Sequence, residues 1–306
     1  MRVAKFTAVL LLLVISGFLI YSYAPQRPLN EYLEKYSYPD SKFIEVQGKK
    51  VHYYKRGTGE KTLVLIHGSG GNIHHFDYVI DDLSKKYTVI AFDNIGHALT
   101  GPQIKDDYSN EAFVSFLEEL FDKLEVKKMH LLGRSFGGYL SVLYSLRHPE
   151  RVEKLILLNS FGGVCESEPV PEKSKLLTHP LMNKFSQNFL PPFLVKKELG
   201  KLFYDQSKVD QYYQNVVDMI SIEGNRNYRI LFDKFPRPKR EVPMEKLTHE
   251  TLVVSSDHDV IHTPCQGEDL HKRIPNSQLK KIEGSGHLST WEKPREVLAV
   301  VEEFLK

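Results

Sequence analysis

The sequence has little of several features that mark particular protein classes. Its 306 residues include only two cysteines, Cys165 and Cys265, which give neither the spacing of a zinc site nor the density of a disulfide framework. One bridge between them can form in an oxidising compartment, and the sequence leaves this open. The formal net charge is only +2 and there is no block of Lys and Arg, so no nucleic-acid partner is expected.

The absence of glycosylation sequons and the ordinary composition exclude fewer protein classes. No Asn-x-Ser/Thr sequon occurs, so glycosylation gives no support for a eukaryotic lumen. Hydrophobic residues make up 41% of the chain and charged residues 26%, which is ordinary for a folded globular protein. The length suits one large α/β domain or two small ones.

The first 24 residues differ in kind from the rest. Arg2 and Lys5 precede an uncharged apolar run over residues 6–23, which Pro25 ends. The run has the length of a short membrane-spanning helix and exceeds the core of a typical signal peptide. Because Pro25 disfavours cleavage, residues 1–24 are predicted to be an uncleaved signal-anchor helix. A removed signal peptide, which would give a secreted protein, and a merely buried helix are the alternatives.

The flanking charges also predict an orientation. Both cations lie on the N-terminal side of the apolar run, so the positive-inside rule keeps the N-terminus in the cytosol and exports the folded domain. Residues 25–41, rich in Tyr and Pro, are predicted to be a tether. Residues 42–306 then form the folded domain.

Short apolar runs alternate with helical patterns through that domain. The predicted strands are Phe43–Val46, Val51–Lys55, Thr62–Ile66, Tyr87–Phe92, Lys128–Leu132, Lys154–Leu158, Thr251–Val254 and Gln278–Ile282. The predicted helices are His75–Lys85, Ala112–Leu124, Ser135–Arg147, Gly267–Arg273 and Pro294–Leu305. This alternation predicts an α/β fold with a mainly parallel eight-stranded sheet, helices on both faces and an antiparallel hairpin at the first edge.

One segment interrupts the alternation. Residues 166–243 lack a convincing buried strand but carry apolar residues at helical spacing. The segment leaves the end of one predicted strand and re-enters at another. It is therefore predicted to be a helical cap that forms a lid over a cleft; the alternative is that it only adds to the core.

The stretch with the most chemical content is Gly133-Arg134-Ser135-Phe136-Gly137. A predicted strand precedes it and a predicted helix follows, which is the context that gives the G-x-S-x-G pattern a mechanism. The turn requires small residues two before and two after the serine. Ser135 is therefore predicted to be a nucleophile, on strained backbone at a helix N-terminus that favours a developing anion.

A glycine-rich loop, residues 67–71, follows the strand Thr62–Ile66 directly. Acyl transfer needs two backbone N–H donors aimed where the tetrahedral oxyanion forms. Phe136, which follows the nucleophile, and Ser69 in this loop are the predicted donors. A plain strand-to-helix turn would also use glycines, so the loop alone is weak support.

A serine nucleophile needs a base, and the base needs an acid that fixes its tautomer. His287 follows the last predicted strand and Asp259 follows the one before it, on the same sheet edge as Ser135. Asp257 is the rival acid, and its alternative role is a loop cap. No carboxylate directly follows the strand Lys154–Leu158, because Asn159 stands there.

These residues resemble the α/β-hydrolase superfamily from about Phe43 to Lys306, and the chain order Ser135, Asp259, His287 is that of the family. The matching stretches are His67–Gly71, Asp93–His97, Gly133–Gly138, Asp259–Pro264 and Gly284–Pro294. The resemblance implies the same nucleophile, acid, base and oxyanion donors. Where the family usually has a second glycine and a serine after its fourth strand, this chain has Ala98 and Thr100.

Within the superfamily the sequence is similar to several groups. The N-terminal anchor is similar to monoacylglycerol-lipase-like hydrolases, and the His67–Gly71 and Gly284–Pro294 stretches are similar to carbon–carbon bond hydrolases, which also carry a tryptophan where Trp291 stands. The central part resembles maspardin, a relative that looks like a binding protein. Gly68, Arg134 and Trp291 are the residues expected at the substrate pocket.

The sequence thus predicts a membrane-anchored serine esterase for moderately hydrophobic substrates, working through an acyl-enzyme. No metal or organic cofactor is expected. The partners expected are a small ester and the membrane. Carbon–carbon bond hydrolysis of a ring-fission-type diketone is the enzymatic alternative, and a maspardin-like scaffold is the non-enzymatic one. Acyl chain length, leaving group and oligomeric state stay open.

Overall fold

The computed structural model describes residues 2–166, 180–237 and 241–306. Its strands are β1 (Ser41–Val46), β2 (Lys49–Arg56), β3 (Thr62–Ile66), β4 (Thr88–Phe92), β5 (Met129–Arg134), β6 (Val152–Leu158), β7 (Glu250–Ser256) and β8 (Ser277–Ile282). The helices in the described residues are α1 (Arg2–Ser22), α2 (Asn30–Tyr36), α3 (Asp77–Ser84), α4 (Asn110–Lys123), α5 (Phe136–Arg147), α6 (Pro180–Ser186), α7 (Pro192–Gly200), α8 (Lys208–Ser221), α9 (Asn225–Phe232), α10 (Pro264–Arg273), α11 (Ser289–Glu292) and α12 (Pro294–Leu305).

The strands form one eight-stranded sheet in the order β1-β2-β4-β3-β5-β6-β7-β8. The pairs β1–β2 and β2–β4 are antiparallel, and every later pair is parallel. The predicted α/β architecture with an antiparallel opening hairpin is confirmed. Since β3, β5, β6, β7 and β8 run the same way, the loops that follow them meet at one edge of the sheet.

Strand β3 shows why the sheet is covered on both faces. Its side chains alternate, so that Val64 and Ile66 belong to the core on one side of the sheet and Leu63 and Leu65 to the core on the other. All four are completely buried. A continuous apolar run is the pattern that a strand needs when helices cover both of its faces.

Some element boundaries differ from the sequence prediction. The chain enters α3 through a 3-10 turn at Ile73–Phe76, so the α-helix begins at Asp77 and not at His75. Helix α10 begins at Pro264, three residues before the predicted start. Proline suits that first position because a helix has no intrahelical acceptor for the amide there.

Helix α1 is the one helix in the described residues that is long and apolar enough to cross a membrane, over Val3–Ser22. Its side chains are exposed from Val3 to Tyr21, and Ser22 is the first buried residue. The end of the helix joins the segment that precedes α7, since Ala24 N–H donates to Asn188 O at 2.9 Å and Leu190 N–H donates to Ser22 O at 2.7 Å.

The predicted tether is not a free linker. It contains helix α2, whose Tyr32 and Tyr36 are buried against Met219 and Ile222. Tyr36 donates a hydrogen bond to Asp218 at 2.6 Å and so fixes α2 to α8. Rich Tyr and Pro content looked like linker composition, but the tyrosines supply apolar area that buries against α8.

The described part of the predicted cap, between β6 and β7, consists of helices α6 to α9. Residues 167–179 and 238–240, which also belong to the predicted cap, lie outside the described residues. A disulfide between Cys165 and Cys265, with a Cα–Cα distance of 5.6 Å, brackets the segment. The bridge that the sequence left open therefore joins the start of this segment to α10.

Candidate active site

Ser135 lies between β5 and α5 with φ +54° and ψ −122°. For a residue with a side chain this backbone conformation costs about 1–3 kcal/mol, and it is characteristic of functional turns. A Cβ at Gly133 would collide with Gly137 O, and a Cβ at Gly137 would collide with Ile66 O. Only glycine fits at both positions, which explains why the sharp turn needs this pattern.

Asp259 and His287 come together at the same sheet edge. His287 Nδ1 lies 2.7 Å from Asp259 Oδ2, and both side chains are buried. A carboxylate can only accept, so Nδ1 carries the proton and Nε2 is left as the basic nitrogen of His287. This is the tautomer that a general base needs.

Asn159 was not predicted to be a site residue, but in the structure it contacts Asp259. Its Nδ2 donates to Asp259 Oδ2 at 3.0 Å, and its Oδ1 accepts from Ser289 Oγ at 2.8 Å. Asp257, the rival acid, accepts instead from the Gly284 and Ser285 N–H groups at 3.0 and 3.2 Å. Asp257 therefore caps the loop that leads to His287.

Burial and charge set the protonation states of this pair. Burial raises the pKa of Asp259, but the neighbouring His287 charge and hydrogen bond lower it, and the result is a pKa of about 2. Burial also lowers the pKa of His287; Asp259 opposes this effect and the Arg134 charge adds to it, so the pKa lies below its usual value. Asp259 is thus ionised and His287 neutral near neutral pH.

The glycine-rich loop, residues 67–71, is pinned beside Ser135 by two histidines. His67 Nε2 accepts from Asn94 N–H at 2.9 Å, and His97 Nε2 accepts from Gly70 N–H at 3.0 Å. A Cβ at Gly68 would lie 2.7 Å from Ser135 Cβ, so this loop touches the elbow. Phe136 is the first residue of α5, where a helix leaves its N–H without an intrahelical acceptor.

Arg134 is almost completely buried, at 2% exposure. Its guanidinium donates to His75 Nδ1 at 3.1 Å and to the His287 carbonyl at 2.9 Å. Burial lowers the pKa of Arg134 to about 10, which keeps it charged near neutral pH. His75 Nε2 in turn bonds the Tyr212 hydroxyl, so a polar chain connects α8 to the backbone of His287.

Trp291 lies on α11, where its indole N–H donates to His74 O at 3.1 Å and its ring contacts Tyr78 and Tyr212. These contacts pack α11 against α3 and the turn before it, and against α8. Like Arg134, Trp291 is held by protein groups, and a direct role of either residue in binding a substrate stays a prediction.

A sequence model of the family described as alpha/beta hydrolase fold matches residues 61–294. The chain belongs to the α/β-hydrolase family. The match covers most of the chain, including the sheet from β3 onward and each residue of the predicted triad. The family resemblance read from the sequence is confirmed.

Several known hydrolases are similar to this chain. A proline iminopeptidase of Lactobacillus helveticus is 27% identical over 82% of this chain and 93% of its own length. A 2-hydroxy-6-oxononadienedioate/2-hydroxy-6-oxononatrienedioate hydrolase of Pseudomonas putida is 29% identical over 87% and 96%. The structure of a meta-cleavage product hydrolase from Pseudomonas fluorescens, a serine-to-alanine mutant complexed with acetates, superimposes with TM-score 0.71 at 25% identity over 86% and 97%. The chain is therefore a hydrolase, and these relatives differ in substrate.

The hydrolase site contains one more residue that sequence reasoning missed. Ser135 Oγ lies 3.4 Å from His262 Nε2. Among the described residues, this is the hydrogen bond that the Ser135 hydroxyl makes. His262 follows Asp259 by three residues, and a histidine so close to the predicted acid was a signal within the sequence.

Proposed function

We propose that this hydrolase is a membrane-anchored serine esterase that cleaves carboxylic esters of moderately hydrophobic acids. The observation that carries the proposal is the strained Ser135 elbow at the sheet edge where an ionised aspartate orients a neutral histidine. A serine hydroxyl is a weak nucleophile unless a positioned base removes its proton. His287, whose Nδ1 is held by Asp259, is the proposed base.

The proposed reaction proceeds through an acyl-enzyme. Ser135 Oγ attacks the ester carbonyl while its proton passes to His287 Nε2, and the carbonyl π electrons move to the oxygen. Collapse breaks the bond to the leaving alcohol, which takes the proton from His287. Water then attacks the acyl-enzyme in the same way. Asp259 stays ionised throughout and stabilises the imidazolium.

The Ser69 and Phe136 N–H groups are the proposed oxyanion donors. Phe136 N–H stands at the N-terminus of α5, where the helix dipole also favours negative charge. Ser69 is held by the loop contacts of its neighbours and by Tyr228, whose hydroxyl donates to Ser69 Oγ at 3.2 Å. Removing one such donor typically costs about 100- to 1,000-fold in kcat.

Aromatic rings around these groups favour an acyl chain over a charged substrate. Phe232 lies edge-on to Phe136, with ring centroids 4.9 Å apart, and Phe161 lies 5.6 Å from His262. Tyr228 approaches the His97 ring at 4.0 Å. A substrate that reaches Ser135 would meet some of these ring surfaces, which supports a moderately hydrophobic acid.

The helices between β6 and β7 are proposed to be the lid. Tyr212 on α8 bonds His75, Tyr228 on α9 bonds Ser69, and Leu288 N–H donates to Leu202 O at 3.0 Å. These contacts join the segment to the glycine-rich loop, to the turn before α3 and to the loop after His287. A substrate would pass between this segment and the sheet edge.

Helix α1 is proposed to anchor the enzyme, with residues 1–24 uncleaved and the catalytic domain exported. Its exposed apolar surface would be covered by lipid. Carbonate extraction of membranes that contain the full chain tests this, together with protease access from each side. Release of the protein into the carbonate supernatant would contradict the anchor. Protection of the domain from protease added on the exported side would contradict the orientation.

The relatives that act on 2-hydroxy-6-oxononadienedioate give carbon–carbon bond hydrolysis of a diketone as the second candidate. That substrate is a dicarboxylate by its name. Two guanidiniums lie near the site, and both are committed to protein acceptors. That of Arg134 donates to His75 and the His287 carbonyl, and that of Arg237, which packs on the Phe136 and Phe232 rings, donates to backbone carbonyls. An ester without a free carboxylate makes no demand on Arg134, which favours esterase activity.

The test uses the full chain in detergent micelles. It combines fluorophosphonate labelling with rates for p-nitrophenyl esters from acetate to dodecanoate, a ring-fission diketone and a prolyl anilide. We expect an adduct on Ser135 and the highest kcat/KM for an ester. Ser135→Ala should abolish both, whereas Ser145→Ala, a buried serine of α5 that bonds the Ser141 carbonyl, should change neither. Faster turnover of the diketone or anilide would overturn the ester assignment, and an unlabelled Ser135 in folded protein would favour a scaffold.

A further inference from the structure

Asp259 accepts hydrogen bonds from two histidines, from the ring of His287 and from the backbone of His262. Its Oδ2 accepts from His287 Nδ1 at 2.7 Å, as described for the predicted triad. Its Oδ1 accepts from the backbone N–H groups of Ile261 and His262 at 2.8 and 2.9 Å. The loop after the acid is therefore folded back on the carboxylate, and this fold fixes the backbone of His262 next to the site.

The side chain of His262 reaches the nucleophile. Its Nε2 lies 3.4 Å from Ser135 Oγ, and its ring stands edge-on to His287 at a centroid distance of 5.1 Å and an angle of 75°. No hydrogen bond joins Ser135 Oγ to His287 among the residues that the structure describes. The resting hydroxyl thus faces His262, whose ring also contacts that of His287.

We propose that His262 is a second catalytic base for Ser135. This proposal rests on the esterase function above. The Ser135 proton passes to His262 Nε2 as the bond from Oγ to the carbonyl carbon forms, and His262 returns the proton to the leaving oxygen as the ester bond breaks. Asp259 supports the imidazolium on His262 by its charge, as it does for His287.

The geometry makes this step short. A general base acts at about 2.6–3.2 Å from the atom that carries the proton, and the present separation of 3.4 Å requires a movement of only a few tenths of an ångström. Rotation of the Ser135 side chain selects between the two bases. A consequence is that His287→Ala is not inert, because His262 still accepts the proton.

The test measures the rate of fluorophosphonate labelling at Ser135 and the hydrolysis of p-nitrophenyl butyrate by the full chain. The variants are His287→Ala, His262→Phe and the double variant. Phenylalanine keeps a ring against Phe161 and removes the nitrogen. Removing a general base typically costs about 100- to 10,000-fold. We expect His287→Ala to retain measurable activity and the double variant to fall at least about tenfold below it.

His262→Gln in the His287→Ala background separates a base from a hydrogen-bond partner. Glutamine offers a polar nitrogen but takes up no proton. The rates of the variant with His262→Gln should therefore fall as far as those of the variant with His262→Phe. Thermal unfolding verifies that each variant is folded. Equal rates for His287→Ala and the double variant, or full rescue by glutamine, would overturn the second base. That result leaves the esterase function intact, whereas a wild-type Ser135 that neither labels nor hydrolyses esters overturns both.

Discussion

Gly68→Ala is predicted to disable the enzyme without unfolding it. A Cβ at this position would lie 2.7 Å from Ser135 Cβ and 3.2 Å from Ser135 Oγ. Carbon atoms in contact stand at about 3.5–4.0 Å, so the loop and the elbow must separate by about 0.8 Å or more. Gly68 does not have a positive φ, so alanine adds no backbone strain there.

The expected loss follows from that displacement. Moving a reacting group by about 1 Å costs on the order of 100-fold in rate, which corresponds to about 2.7 kcal/mol of transition-state stabilisation. We therefore expect kcat/KM for p-nitrophenyl butyrate, and the fluorophosphonate labelling rate, to fall about 100-fold. The proposed oxyanion donor Ser69 moves with the loop, so the effect should appear in kcat.

Gly70→Ala is the matched control in the same loop. A Cβ at Gly70 meets nothing within 4 Å, but its φ is +70°. Alanine there costs about 1–2 kcal/mol of backbone strain without touching Ser135. This variant should lose stability and keep most of its activity. Activity of folded Gly68→Ala within about twofold of wild type, or an equal loss in both variants, would contradict a displacement of Ser135 by the added Cβ.

Three further predictions concern charge, cross-linking and stability. Arg134→Gln removes a cation that lowers the pKa of His287. The pKa of His287 should therefore rise, and the acid limb of the kcat/KM–pH profile should move to higher pH. Arg134→Lys keeps the charge and should leave the limb in place. Reducing the Cys165–Cys265 bridge, with its sequence separation of 100, should lower the free energy of unfolding by up to about 4.7 kcal/mol; unchanged urea melts with dithiothreitol would contradict this. Burial lowers the pKa of His97 to about 3 in the folded protein. Below the unfolded-state pKa of about 6.5, the unfolded chain binds a proton at this histidine that the native state does not bind. The free energy of unfolding therefore decreases as the pH is lowered from about 6.5 toward 3, by up to about 1.4 kcal/mol per pH unit. His97→Gln should flatten that slope in urea melts between these pH values, and equal slopes would refute it.

The fold could be predicted from the sequence because its signals are local. Strand β3 reads as a run of apolar residues, and the alternation of such runs with helical patterns is enough to specify a mostly parallel sheet. The order of the strands along the chain then places Ser135, Asp259 and His287 at one edge. Element boundaries were less exact, since the 3-10 turn before α3 depends on contacts such as Ile73 N–H to Asp93 at 2.9 Å.

Helix α2, within the predicted tether, could not be predicted from the sequence for a related reason. Tyrosines and prolines in residues 25–41 look like linker composition, and no periodic pattern reveals that Tyr32 and Tyr36 bury against α8. The partner, Met219, lies far along the chain. A composition rule has no information about a surface that forms only when distant segments meet.

The sequence by itself determined the fold class, the apolar N-terminal helix and the set of groups from which a serine hydrolase site is built. Only the tertiary structure decided how those groups are paired. It gave Asp259 two further partners in Asn159 and the His262 loop, made Asp257 a loop cap and placed His262 next to Ser135, the predicted nucleophile. The physical reason is range: a motif encodes backbone conformation within a few residues, but hydrogen bonds between side chains depend on where separate strands end in space.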